Sequence, residues 1–219
     1  MTAQTQMIDR FMQPPSSGDT DLEASFGVRM PFAVGEEIYA QEEAADFIYR
    51  LVSGAVRTTH LLTDGRRQIG DFYYPGDVFG LEARATHRFS AEGLGNCQVQ
   101  VLKRVAPSRQ GEDRLRFDRM VAGATSNELE RAQAHILLLA RMTACEKVAS
   151  FLLGLADRFK AELTALPMSR QDMADYLGLT IETISRTLGK LQADGVVEFM
   201  GCRHFRIRHR TALDQLAVS

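Results

Sequence analysis

The sequence predicts an α+β chain. An N-terminal antiparallel β-roll, a double-stranded β-helix of the cupin kind, leads into one long helix and then a C-terminal winged helix-turn-helix. Three observations predict it. Short apolar runs punctuated by glycine fill Phe26 to Leu102; helical periodicity holds for about thirty residues after Pro107; and two capped helices around a glycine turn precede a second hairpin. The expected boundaries are 1–22 for a flexible tail, 23–107 for the roll, 108–141 for the long helix and 142–219 for the winged unit.

The tail is polar and carries too few apolar groups to pack. It is not a basic segment followed by an apolar one, and no run of about eighteen apolar residues occurs anywhere, so a cytoplasmic chain that does not enter membranes is expected. In the roll, Gly35, Gly54, Gly65, Gly70, Gly76 and Gly80 separate Ile38-Tyr39, Phe47-Ile48-Tyr49, Ala55-Val56 and Phe72-Tyr73-Tyr74. Such short strands at even spacing read as an antiparallel roll or barrel. Asp64-Gly65, between Leu61-Leu62 and Gln68-Ile69, predicts a two-residue hairpin loop of type I′, with positive φ at both positions.

In the long helix, with only Gly123 interrupting, Leu129, Ala132, Ile136 and Leu139 fall at 3-4-3 spacing. A stripe this narrow faces another helix rather than a broad core, which predicts a homodimer. Ala132 lets two backbones approach, whereas an acid there would meet its symmetry mate. The plainer alternative is a helix lying on its own domain's core. After a break near Arg141 and Met142, Thr143 and Glu146 form a capping box that opens a new helix, with Val148, Phe151, Leu152 and Leu155 on a broad inward face.

Ser169 and Asp172 cap the next short helix, whose Met173, Ala174 and Leu177 share a face and which ends at Gly178. Thr180 caps a second, with Ile184, Leu188 and Leu191 inward and Glu182, Thr183, Ser185, Arg186 and Lys190 pointing elsewhere. A short helix, a turn and a second capped helix read as a helix-turn-helix, although plain αα-hairpins share the pattern. Val196 to Phe199 and Phe205 to Ile207 then form a wing. From Phe199 to Arg210 the chain has Arg203, Arg206, Arg208 and Arg210, with His204 and His209, and no acid, within a formal net charge of −2 overall. That local basic stretch is either an ordinary solvated face or a footprint for double-stranded DNA. Arg186 suits bidentate donation to guanine O6 and N7, and Glu182, an acceptor, suits the amino groups of cytosine or adenine. Ser169, Thr180, Thr183, Lys190, Arg203, His204 and Arg206 surround them as candidates for contact with the phosphate backbone.

"LGLTIETISRTLGKLQADGVV" (Leu177 to Val197) resembles the recognition region of the CRP/FNR superfamily, nearest its FNR and FixK branches. The resemblance covers nearly the whole chain. "GEEIYAQEEAADFIYRLVSGAVR" (Gly35 to Arg57) and "PGDVFGLEA" (Pro75 to Ala83) resemble the family's β-roll, and "ILLLARMTACEKVASFLLGLADRF" (Ile136 to Phe159) its dimer helix and hinge. It implies an activator that contacts RNA polymerase and reads TTGAT-type half-sites in inverted repeat through Glu182, Ser185 and Arg186. Ile181 stands where cyclic-AMP receptors have a base-reading arginine. Cyclic-nucleotide receptors also carry a Gly-Glu-Leu stretch and a later Arg-Ser pair; here Leu81 follows Gly80 and Phe89 precedes Ser90, so a buried phosphate would lack its partner. No cysteine precedes Cys97, which leaves no ligands for the N-terminal iron-sulfur cluster of oxygen-sensing relatives. The resemblance therefore implies the FixK subgroup, needing no cofactor and controlled by how much protein is made, often downstream of an oxygen-responsive phosphorelay.

Other sites weigh less. His60 and His87 are candidate haem ligands in an alternative, ligand-gated regulator whose roll senses haem, NO or a small metabolite; lone histidines in β-rich domains are more often surface or core residues. Cys97, Cys145 and Cys202 form no CxxC pair, so no metal site and no disulfide framework is expected. Cys202, between Gly201 and Arg203-His204, is a candidate redox thiol whose oxidation would weaken DNA binding, against the reading of an inert hairpin thiol. With no Gly-x-Ser-x-Gly, phosphate loop or HExxH, no enzyme activity is expected.

Overall fold

A computed structural model describes residues 27–105, 110–140 and 143–218. The expected tail, the transition at Pro107 and the break at Arg141 and Met142 lie outside the described residues. The chain divides into two compact units inside its long helix, between Glu130 and Arg131.

Eight antiparallel strands build the first unit: β1 (Val28–Phe32), β2 (Glu37–Tyr39), β3 (Phe47–Ser53), β4 (Val56–Leu61), β5 (Arg67–Tyr73), β6 (Val78–Phe79), β7 (Ser90–Gly93) and β8 (Cys97–Lys103). They form two four-stranded sheets, ordered β1-β8-β3-β6 and β2-β7-β4-β5. Side chains alternate across each strand, so β3 and β8 serve two cores at once. Tyr49, Leu51, Phe79, Cys97 and Val99 join Tyr39, Val56, Tyr73 and Ala91 from the second sheet. Ile48 and Leu102, on the opposite face, pack with Val78 against Phe117 of α1 (Gly111–Ala140), flanked by Met120, Val121 and Ala124. The Tyr73 hydroxyl also donates to Glu128 at 3.0 Å. Gly54 (φ +90°) permits the close approach at one end of the roll, since a Cβ there would lie 2.5 Å from the Cys97 Cβ.

The hairpin at Asp64-Gly65 forms, but not with the expected type I′ turn. Only Gly65 of the pair is left-handed (φ +82°). Its N–H donates to the Leu62 carbonyl at 2.9 Å, and the Leu62 N–H donates to the Arg66 carbonyl at 2.9 Å, which makes Thr63 to Gly65 the loop. The Asp64 carboxylate decides this. It accepts from the Arg66 N–H at 3.0 Å and from its Nε at 2.8 Å, an Asx turn that competes with a left-handed Asp64.

The second unit holds α2 (Ala144–Phe159), β9 (Thr164–Ala165), α3 (Arg170–Leu177), α4 (Ile181–Ala193), β10 (Val197–Met200), β11 (His204–Ile207) and α5 (Arg210–Val218). The capping box at Thr143 is formed, with Glu146 N–H donating to its hydroxyl at 3.2 Å and Thr143 N–H to the Glu146 carboxylate at 3.1 Å. Val148, Leu152, Met173, Leu177, Ile184, Leu191, Phe205 and Leu213 make the core. Two elements were not expected. β9 pairs with β11 to complete a sheet ordered β10-β11-β9, and α5 returns to pack on α2.

Candidate DNA interface

Local chemistry locks the two helices that carry the predicted readers. At the start of α3 the Ser169 hydroxyl accepts from the Asp172 N–H at 3.0 Å, and the Asp172 carboxylate accepts from the Ser169 N–H at 3.0 Å. Gly178 ends the helix in the left-handed region (φ +63°), and Thr180 starts α4 by accepting from the Thr183 N–H at 3.2 Å. Met173, Ala174 and Leu177 of α3 and Ile184 of α4 are fully buried, which fixes the pair as a rigid body.

Burying Ile184, Leu188 and Leu191 turns Glu182 and Arg186 outward, with Ser185 half-buried between them and Thr183 and Lys190 at their flanks. Each predicted reader already has a partner. The Glu182 carboxyl is held below its usual pKa by its own backbone N–H, the Thr180 hydroxyl and then Arg186, so at neutral pH it is an acceptor only. Arg186 donates to the Thr183 hydroxyl at 3.4 Å. The Ser185 hydroxyl accepts from Arg170 at 3.2 Å. Sequence reasoning passed over Arg170 because it follows a cap and looks like any exposed first-turn residue; its guanidinium joins the two helices.

The wing differs in charge from its sequence. Arg208 pairs with Glu198 at 2.6 Å and Arg210 with Asp157 at 2.5 Å, while the Arg206 Nε lies 3.4 Å from Glu162. Arg203 donates to the Pro167 carbonyl at 2.6 Å, and its own carbonyl accepts from Leu166 N–H at 2.7 Å. The segment without acids is thus supplied with them by β10 and by the end of α2 and its following turn. His204 is half-buried in β11, and burial lowers its pKa, so at neutral pH it offers an imidazole rather than a cation. Cys202 is exposed at the hairpin tip.

Along α1 the covered residues are Phe117, Met120, Val121, Ala124, Glu128, Arg131, His135 and Leu138; the rest of the helix is exposed. His135 stacks on Tyr176 at 3.9 Å. The predicted stripe lies beside this face, with Leu129 59%, Ile136 66% and Leu139 36% exposed and Ala132 also open. Leu137, at 67%, widens it. The helix does lie on its own unit's core, as the plainer alternative had it, but through Phe117, Met120, Val121 and Ala124; Leu129, Ala132 and Ile136 stay exposed, with Leu139 at the margin.

In the roll, the loop after β6 is held by its own side chains. The Glu82 carboxylate, buried, accepts from the Arg88 N–H at 3.1 Å and Nε at 3.2 Å, and Arg104 donates to the Glu82 carbonyl. His87 is completely buried, stacked on Tyr39 at 3.8 Å, with neither ring nitrogen hydrogen-bonded. His60 instead meets the Arg88 carbonyl at 2.8 Å. Among the described residues, no group of three His, Cys, Asp or Glu is placed to hold a metal ion, and no helix is long and apolar enough to cross a membrane.

Known proteins share this arrangement. Residues 146–216 match the model of the Crp-like helix-turn-helix domain, and residues 29–106 that of the cyclic nucleotide-binding domain. The nitrogen fixation regulation protein FixK of Azorhizobium caulinodans is 44% identical over 209 residues, covering 92% of this chain and 84% of that protein. The transcriptional activatory protein AadR of Rhodopseudomonas palustris is 41% identical over 167 residues, 74% of this chain and 70% of that protein. The solved structure of FixK2 from Bradyrhizobium japonicum superposes with a TM-score of 0.81 at 44% identity, covering 88% of this chain and 98% of that one.

Proposed function

We propose, for a chain that belongs to the CRP/FNR family of transcription regulators and is of its FixK type, that it binds TTGAT-type inverted repeats as a homodimer and activates transcription without a bound ligand. The observation that carries the reading is the exposed face of α4. A carboxylate, a hydroxyl and a guanidinium stand there together on a helix whose cap, turn and buried face are all rigid. Glu182, Ser185 and Arg186 read base edges in the major groove, and the exposed Thr180 and Lys190, with Ser169 and Thr183, lie where a phosphate backbone would pass. Arg203, His204 and Arg206 place the wing beside it. In this reading 23–107 is a sensor-like roll, 108–141 the dimerisation helix and 142–219 the DNA-binding unit.

Two further observations support it. The uncovered stripe of Leu129, Ala132, Ile136 and Leu139 suits a twofold pairing that sets two copies of α4 about 34 Å apart, one turn of DNA. The buried Glu82 carboxylate, itself bound by Arg88, takes the basic group of that loop and would repel a nucleotide phosphate. Activation accords with the name of the transcriptional activatory protein AadR, and in this reading the protein acts in the cytoplasm through contact with RNA polymerase.

Selection of bound sites from random DNA tests the reading, with recovery of a TTGAT palindrome as the expected result. Arg186→Ala should then cost about 1–3 kcal/mol and relax preference at one guanine. A wild-type protein that binds the palindrome no better than scrambled DNA would remove the proposal.

A further inference from the structure

The readers of α4 differ in how their hydrogen-bonding capacity is already spent, and Ser185 is the informative one. A serine hydroxyl carries one proton to donate and two lone pairs, and on its own it matches donor and acceptor groups alike. Here one of its lone pairs is committed. The Arg170 guanidinium, on the first residue of α3, donates to Ser185 Oγ at 3.2 Å.

That contact joins two elements whose separation is fixed. Arg170 sits directly after the Ser169 capping box, and Ser185 lies one residue from the fully buried Ile184. Among the described residues the Arg170 guanidinium is engaged with Ser185 rather than with an acid, and Gln171, its neighbour, is engaged with Asp175 at 2.7 Å. A cation donating to an oxygen makes that oxygen a poorer acceptor and its proton a better donor.

We infer that Arg170 is a specificity-determining positioning residue: by donating to Ser185 Oγ it turns the serine proton outward, so that Ser185 reads a base presenting a hydrogen-bond acceptor. In the major groove thymine offers O4, guanine O6 and N7, and adenine N7, while cytosine offers only its amino donor. Ser185 therefore disfavours cytosine at its position, whose amino group would reach only the second, weakened lone pair, and Arg170 supplies that bias without touching the base. The inference rests on the proposed reading of α4 as the base-reading helix.

Binding of wild type, Arg170→Met, Ser185→Ala and the double variant to the selected palindrome and to all single-base changes of each half-site tests it. Methionine keeps the stem of the side chain and removes its donors. The base pair read by Ser185 is the one at which Ser185→Ala loses discrimination. At that pair, Arg170→Met should shrink the preference over cytosine by about threefold to tenfold, the worth of one surface-accessible hydrogen bond. In the Ser185→Ala background the same change should leave the pair's preference as it is, and Arg170→Lys should restore part of the discrimination. An equal loss on every site, or a contraction that persists without Ser185, overturns the inference while leaving the α4 reading intact. A wild type with no preference for the palindrome overturns both. Melting curves of each variant should overlay that of wild type, because Arg170 is exposed.

Discussion

Ile136→Glu is expected to yield a folded monomer that binds the palindrome at least about a hundredfold more weakly than wild type. Ile136 is 66% exposed on α1, so glutamate there costs the isolated chain little. Across a twofold axis it would instead place two carboxylates close together, a repulsion of about 3 kcal/mol at 6 Å and an effective dielectric of about 20, on top of the lost apolar burial. Two half-sites held by one rigid pair gain from effective concentration, and a monomer forfeits that gain. Sedimentation and fluorescence anisotropy read both effects. A variant that stays dimeric would show that the stripe of Leu129, Ala132 and Ile136 is not the interface.

His87→Phe should flatten the acid limb of the stability curve. Burial holds the His87 ring below its ordinary pKa; Glu82 and Glu43 pull the other way, and Arg104 adds to the lowering. The Tyr39 and Tyr49 rings cover it and offer no hydrogen bond to either nitrogen. The folded chain thus keeps the ring neutral where the unfolded chain, titrating near about pH 6.5, takes up a proton. The sign follows. Stability from this group is complete above that pH and falls as the pH drops below it, with a slope approaching about 1.4 kcal/mol per pH unit until the native ring itself protonates. Phenylalanine keeps the stack on Tyr39 and has no nitrogen to charge. Denaturant unfolding of both proteins between pH 8 and pH 5 measures the difference, and identical pH profiles would refute the assignment.

The winged unit was legible wherever function of the backbone dictates residue type. Thr143, Ser169 and Thr180 each announced a helix start because an orphaned N–H needs an oxygen, and Gly178 announced a stop because the left-handed region favours glycine. Strand alternation likewise exposed the roll, although it is the fold that shows β3 and β8 each facing two cores. What stayed hidden depends on partners distant in sequence. β9 is two residues long and exists only because β11 lies beside it, so no periodicity could reveal it. The Asp64 turn depended on a side chain competing with the backbone. Arg170 could not be linked to Ser185 until α3 and α4 were packed, and the buried state of His87 is invisible in a sequence where a lone histidine reads as a surface or a core residue alike.

The acids drawn onto the wing set how the protein responds to ionic strength. Each phosphate neutralised by a free cation releases counterions, contributing about −0.9 to the slope of log affinity against log concentration. With Arg206, Arg208 and Arg210 already facing Glu162, Glu198 and Asp157, the wing has few such cations to give. Its operator complex should therefore persist as electrolyte rises, with a shallower slope than four unpaired arginines per subunit would produce, and with more of its discrimination left to the bases themselves.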